Sequence, residues 1–176
     1  ITSVSFNEKG RVNPQEVADA ITDETILVSI MHSNNEPGTI QPIEEIAKIT
    51  RERKVIFHTD AVDSVGMVPI DVQKMGVDLM SFAANTFYGP TGVGGLYIRG
   101  TRIFPLMEGG VQEGNKRAGT ENLLGIIGMG TAAAITRQNL DKWTAHCLSL
   151  KNQLLKELPN YIDHYLINTH AEHSLP

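Results

Sequence analysis

The sequence predicts an α/β fold, with a mostly parallel sheet flanked by helices. Two observations predict it. Short apolar runs rich in β-branched residues alternate with stretches of helical spacing, and polar side chains cluster directly after the apolar runs. In sheets of this kind ligands sit beyond the carboxyl ends of the strands.

The elements follow in order. Residues 1–6 (ITSVSF) read as a buried strand. A helix start comes next, with Asn13 as N-cap, Pro14 at the first helical position and Glu16 three residues after the cap; this helix is expected to run to about Thr22. Residues 25–31 (TILVSIM) suit a strand buried on both faces. The turn residues NNEPGTI end it. Between Pro42 and Arg53, Ile43, Ile46 and Ala47 recur at helical spacing, and KVIFHTD (54–60) is the next strand. A short helix over Val72–Met75, the strand VDLMSFA (77–83), a glycine-rich loop and the strand GVGGLYIR (92–99) repeat the pattern. From Thr120 to Leu158 the chain is expected to be helical, first in a tightly packing Ala- and Gly-rich stretch (123–136), then in a polar helix near 138–158. Residues from Glu157 onward look like an exit into a further strand or domain. The expected division is one large domain over 1–158 and the start of a second over 159–176.

With 176 residues, 41% apolar and 20% charged, the chain has enough apolar material for one substantial core. A net charge of -5 offers no basic footprint, so nucleic acid is not an expected partner. Cys147 is the only cysteine and cannot form an internal disulfide, which points to a reduced, cytoplasmic protein. No apolar run approaches the roughly 20 residues of a membrane helix, and residues 1–30 lack the layout of a signal peptide.

Three strand ends bring polar groups to one edge of the predicted sheet: Asn34 and Asn35, His58 and Asp60, and Asn85 and Thr86. A fourth element, RAGTENLLG, puts Thr120 at an expected N-cap, where the N–H groups of 121–123 can receive a phosphate. A carboxylate at one end and a phosphate receptor at the other suit a ligand that is protonated at one end and phosphorylated at the other. Each piece also has a plainer reading. His32, His58 and Asp60 lack the spacing of a metal motif, so no metal is expected. NNEPG is turn chemistry in its own right. GPTGVGG is neither a Walker loop nor a dinucleotide fingerprint, and Cys147, inside a predicted helix, reads as an inert thiol.

Taken together, HSNNEPGTIQPIEEIAKI, FHTDAVDSVGMVPIDV, VDLMSFAANTFYGPTGVGGLYIR and GGVQEGNKRAGTENLLGIIGMG resemble, in order and spacing, the class V pyridoxal-phosphate enzymes, above all cysteine desulfurases of bacterial and archaeal type. The similarity covers nearly all of residues 1–145. It implies the large domain of a fold-type I enzyme, with pyridoxal 5'-phosphate as cofactor, cysteine as substrate, a homodimer and a link to iron–sulfur assembly, through a scaffold protein in some members. Asp60 matches the aspartate that pairs with the pyridine nitrogen and makes the ring an electron sink. Asn35 matches the asparagine beside the ring hydroxyl. Thr120 matches a threonine that reaches the phosphate of the partner subunit's cofactor.

The departures from that pattern are as informative. Alignment through SF and YGP puts Ala83 at a phosphate-binding serine, Asn85 at a histidine and Thr86 at the lysine that attaches the cofactor covalently. Asp63 stands where a glutamine touches the ring hydroxyl, and a second carboxylate there repels an ionised phenolate. The resemblance also implies an amino-terminal portion ahead of Ile1 and a small domain after Pro176 that carries the persulfide cysteine. The expected function is therefore desulfurase-like, with this chain inactive by itself and its cofactor weakly and non-covalently held. The alternatives are a degenerate homologue that acts as a binding or scaffold protein, and a selenocysteine lyase or aminotransferase relative.

Overall fold

The computed structural model describes residues 1–176. Four five-residue strands, β1 (Leu27–Met31), β2 (Ile56–Asp60), β3 (Leu79–Ala83) and β4 (Gly94–Ile98), form one sheet in the order β1-β2-β3-β4. β1, β2 and β3 run parallel, and β4 returns antiparallel beside β3. Helix α1 (Pro14–Ala20) precedes β1, α2 (Ile43–Glu52) crosses from β1 to β2, and α3 (Val72–Met75) crosses from β2 to β3. The expected mostly parallel sheet with helical crossovers is the one observed.

Local chemistry explains these elements. The Asn13 side chain accepts from the Gln15 N–H, and Pro14 begins α1 without wasting a donor. In α2 the residues Ile43, Ile46, Ala47 and Thr50 are buried along one stripe, while Glu44 and Glu45 occupy the first turn and Arg51 the last, as the helix dipole favours. The Asp71 carboxylate caps α3 by accepting from the Gln73 and Lys74 N–H groups. These helices cover one face of the sheet. Val17, Ile30, Ile46, Phe57, Val77 and Met80 form the heart of a twelve-residue core between them. Complete burial of a Phe such as Phe57 stabilises by about 1.5–3 kcal/mol before the cost of ordering it.

The long helix α5 (Leu123–Glu157) follows a single irregular turn, α4 (Gln112–Asn115). The sequence suggested two helices here. No proline or glycine stands between residues 136 and 138, so nothing interrupts the hydrogen-bond ladder and the 35 residues run as one. The small residues serve close approach: a side chain on Gly128 would put its Cβ 2.6 Å from Pro90 Cγ.

Four other expectations are corrected. Residues 1–6 form no strand; Phe6 makes an isolated bridge to Val12 and stays 72% exposed, because no neighbouring strand pairs with it. α1 ends at Ala20 rather than Thr22, with Ile21 extended as its cap. β1 is covered on one face only, since Leu27 and Met31 remain 47% and 45% exposed. The last residues form no new strand. After a 3-10 turn at Leu158–Asn160 they fold back, so that Ile40 N–H donates to His173 O, Leu175 N–H donates to Gly38 O and the Lys151 ammonium donates to Ser174 Oγ and Leu175 O.

Candidate functional site

The carboxyl edge of β1, β2 and β3 gathers the polar residues that the sequence singled out. After β1, Asn34 is spent on the turn: its Oδ1 accepts from Glu36 N–H at 3.0 Å and its carbonyl accepts from Gly38 N–H at 2.9 Å. Asn35 is exposed, and its N–H donates to Asp63 Oδ2 at 3.2 Å, which ties the loop after β1 to the loop after β2. Asp60 closes β2 with an exposed carboxylate. One of its oxygens accepts from Val62 N–H at 2.9 Å, and the other is free to receive a donor.

His58 lies two residues before Asp60, on the same strand face. The parallel register sets Ser29 opposite His58, and the Ser29 hydroxyl and His58 Nδ1 are 2.8 Å apart. Burial pushes the His58 imidazole below its usual pKa, and the nearby Asp60 charge opposes that shift. His32 is engaged elsewhere. Its Nδ1 is 2.7 Å from the Ser64 hydroxyl, which is also 2.5 Å from the Ser33 hydroxyl; all three residues are buried, and burial lowers the His32 pKa. This trio fastens together the segments that carry Asn35 and Asp63. Sequence reasoning passed over Ser33 and Ser64, because a small hydroxyl residue in a loop gives no signal until its neighbours are known. No group of three or more His, Cys, Asp or Glu is arranged to hold a metal ion.

After β3 the chain enters a 3-10 turn, Ala84–Phe87, whose Ala84 and Phe87 are buried while Asn85 is exposed. The Thr86 hydroxyl donates to Ala83 O at 2.9 Å and is thus turned back onto its own strand. Gly66 makes room for this turn, because any Cβ there would stand 2.5 Å from that of Phe87, and its φ of +90° suits glycine. Ala132 of α5 packs on Ala84 and Phe87, and Trp143 meets Tyr88 edge-on with ring centres 5.9 Å apart.

Thr120 needs a correction. The N-cap of α5 is Asn122, whose Oδ1 accepts from Gly125 N–H at 3.1 Å; Thr120 is exposed two residues earlier. Asparagine and threonine both cap helices, but Leu123 N–H is already turned back to Glu121 O, which leaves the side chain of residue 122 beside the free N–H groups. The edge therefore offers one carboxylate oxygen, an imidazole whose pKa burial lowers, and exposed amides at Asn35 and Asn85, while the Thr86 hydroxyl is spent on Ala83 O. It can accept from a protonated nitrogen and donate to oxygens. It has no amine at position 86 to form a covalent link.

The comparisons with known proteins bear on this geometry. The chain is 48% identical to the cysteine desulfurase IscS of Dictyoglomus turgidum over 177 aligned positions, covering all of this chain and 45% of that relative. A solved structure of a NifS-like protein superposes with a TM-score of 0.91 at 39% identity, covering 99% of this chain and 48% of that one. A structure of SspA in complex with cysteine matches at a TM-score of 0.73 and 40% identity, over 76% of this chain and 39% of the other. The chain thus spans about half the length, or less, of the relatives named. The pattern of the aminotransferase class-V family matches residues 1–175, from before β1 to the end of the returning tail, and the chain belongs to that family.

Proposed function

We propose that this chain is the sheet-bearing part of a cysteine desulfurase-like protein, and that it holds pyridoxal phosphate without a covalent bond at the carboxyl edge of β1–β3. The family works with that cofactor, which supplies an electron sink when it is bound. The single observation that carries the reading is Asp60, a carboxylate with one free oxygen at the end of β2; the sequence resemblance aligns it with the family's nitrogen-binding aspartate.

The residues fit the ring end of the group and fail to fit its anchor. Asp60 offers an oxygen that keeps a proton on a ring nitrogen. Asn35, braced through its backbone by Asp63, and Asn85 offer side-chain amides as donors. Asp63 is already engaged by Asn35 N–H, so its negative charge is partly satisfied before any ligand arrives. Thr86 carries no amine, and its hydroxyl is committed to Ala83 O. Retention of the cofactor then rests on hydrogen bonds and charge alone, and proton movement at the substrate lacks its usual amine. This chain by itself is proposed to be inactive toward cysteine.

A homodimer belongs to the same proposal. Leu124, Ile127, Thr131 and Ile135 recur at helical spacing along α5, and the three apolar members are exposed. A second copy of the chain would cover that stripe and could bring Thr120 to its neighbour's site; sedimentation or light scattering that shows only monomer would remove this part.

A second reading, a degenerate homologue that binds without catalysing, is favoured by Thr86 alone. One experiment separates the two. Borohydride reduction with mass mapping, and sulfide release from cysteine, are measured on the full-length protein, wild type and Thr86→Lys. Non-covalent binding predicts no lysine adduct in the wild type and an adduct at position 86 in the variant; a wild-type adduct at another lysine overturns it. Sulfide release gained only by the variant supports the degenerate reading, and wild-type turnover at an ordinary enzyme rate rejects it.

A further inference from the structure

The opposite edge of the sheet, where β2 and β3 begin, holds an open cavity of about 320 Å³ between the ends of α2, α3 and β4. Its charged residues are Arg51 and Lys54 from the end of α2, Arg99 after β4, and Asp78 before β3. Arg99 is the paired cation: its Nη2 lies 3.3 Å from Asp78 Oδ1 and donates to Gly76 O at 2.6 Å. Arg51 Nη2 reaches that same carbonyl oxygen at 3.4 Å. Two guanidinium groups thus converge on one carbonyl oxygen, which brings their positive charges together. Neither Arg51 nor Lys54 has a carboxylate within 4.0 Å, whereas nearby Lys74 lies 3.7 Å from Glu44.

The charge balance is unusual for this molecule. Three cations face one carboxylate. The carboxyl end of α2 supplies about half a negative charge and the four-residue α3 less than that, so about one positive charge stays uncompensated. The chain as a whole carries -5. Lys54 also adopts a left-handed backbone, φ 57°, a conformation that costs a non-glycine residue about 1 kcal/mol, and this keeps the lysine at the cavity rim.

We infer that this cavity binds a small phosphate-bearing anion. Guanidinium forks of Arg51 and Arg99 match phosphate oxygens in pairs, Lys54 adds a point charge, and the anion relieves the repulsion between the two guanidinium groups. Thr101 lines the cavity as a hydroxyl donor. The site is separated from Asp60 by the length of the strands, so it stands independently of the cofactor reading.

The test is an amide NMR titration of the protein with inorganic phosphate and, separately, with glycerol phosphate, each against sodium chloride at matched ionic strength. Saturable shifts confined to residues 51–55, 76–78 and 99–101 are expected. Tighter binding of glycerol phosphate identifies a phosphate monoester as the ligand, and equal binding identifies free phosphate. Arg51→Gln and Lys54→Gln alter exposed side chains, so circular dichroism should be unchanged while each weakens binding at least fivefold. Shifts that chloride reproduces, that fail to saturate, or that survive both substitutions would overturn the inference. Shifts confined to Asn35, Asp60 and Asn85 would also overturn it, while reporting on the other edge.

Discussion

The two faces of the sheet follow different rules. One face, built from alternate residues such as Ile30, Phe57 and Met80, is sealed by α1, α2 and α3 into the main core. The other presents Leu27 and Met31 of β1, His58 and Asp60 of β2, and Leu96 of β4, and the three apolar residues among them stay 45–47% exposed. Parallel sheets are ordinarily covered on both sides. In this chain the covered face carries most of the buried apolar residues and the open face carries polar groups, because the Ser29–His58 contact and the Asp60 carboxylate both lie on the open one.

Substitutions on the two faces can break that comparison. The largest effect is expected from Phe57→Ala, which empties a fully buried site and should cost about 3–5 kcal/mol in urea unfolding. A cost below about 1 kcal/mol would show that the covered face is not the main core.

Acid should come next. The folded-state pKa values of His32 and His58 lie below 6.5, so the unfolded chain takes up protons that the folded one refuses. Stability is therefore complete above pH 6.5 and declines as the pH falls from there toward the lowered values. Urea midpoints measured at about pH 8 and about pH 5.5 should differ, and His32→Gln should flatten the difference.

A smaller change of opposite sign is expected at Thr59. Its Oγ1 is buried on the covered face without a hydrogen-bond partner, and Thr59→Val keeps the shape while removing the stranded hydroxyl. Such a change should raise stability by about 1 kcal/mol; a loss of that size would mean that the hydroxyl has a partner in solution. The smallest effect is reserved for the open face, where Leu96→Thr should alter the unfolding free energy by no more than about 0.5 kcal/mol. A cost of several kcal/mol would show that something covers that face in solution.

Much of this was legible in the chain itself. The strand–helix alternation, the Asn13 cap of α1 and the crossovers α2 and α3 are encoded by local patterns, and local patterns survive in one dimension. The gathering of Asn35, Asp60 and Thr86 at one edge follows from parallel strands ending on the same side. The failures have a common cause. ITSVSF has the composition of a strand, yet a strand exists only where another backbone pairs with it. Capping by Asn122 instead of Thr120 turned on where the N–H groups of the first turn point, which neighbouring loop geometry decides.

The sequence alone determined the fold class, the family likeness and the absence of an amine at Thr86, since residue identity and spacing are sufficient for each. Tertiary structure decided the rest. Only the folded chain shows that one sheet face is open, that Ser64 joins His32 to Ser33, and that Arg51 and Arg99 meet at one carbonyl. Those features depend on groups about 20 to 50 positions apart coming within hydrogen-bonding distance, and no local pattern along the chain records such a distance.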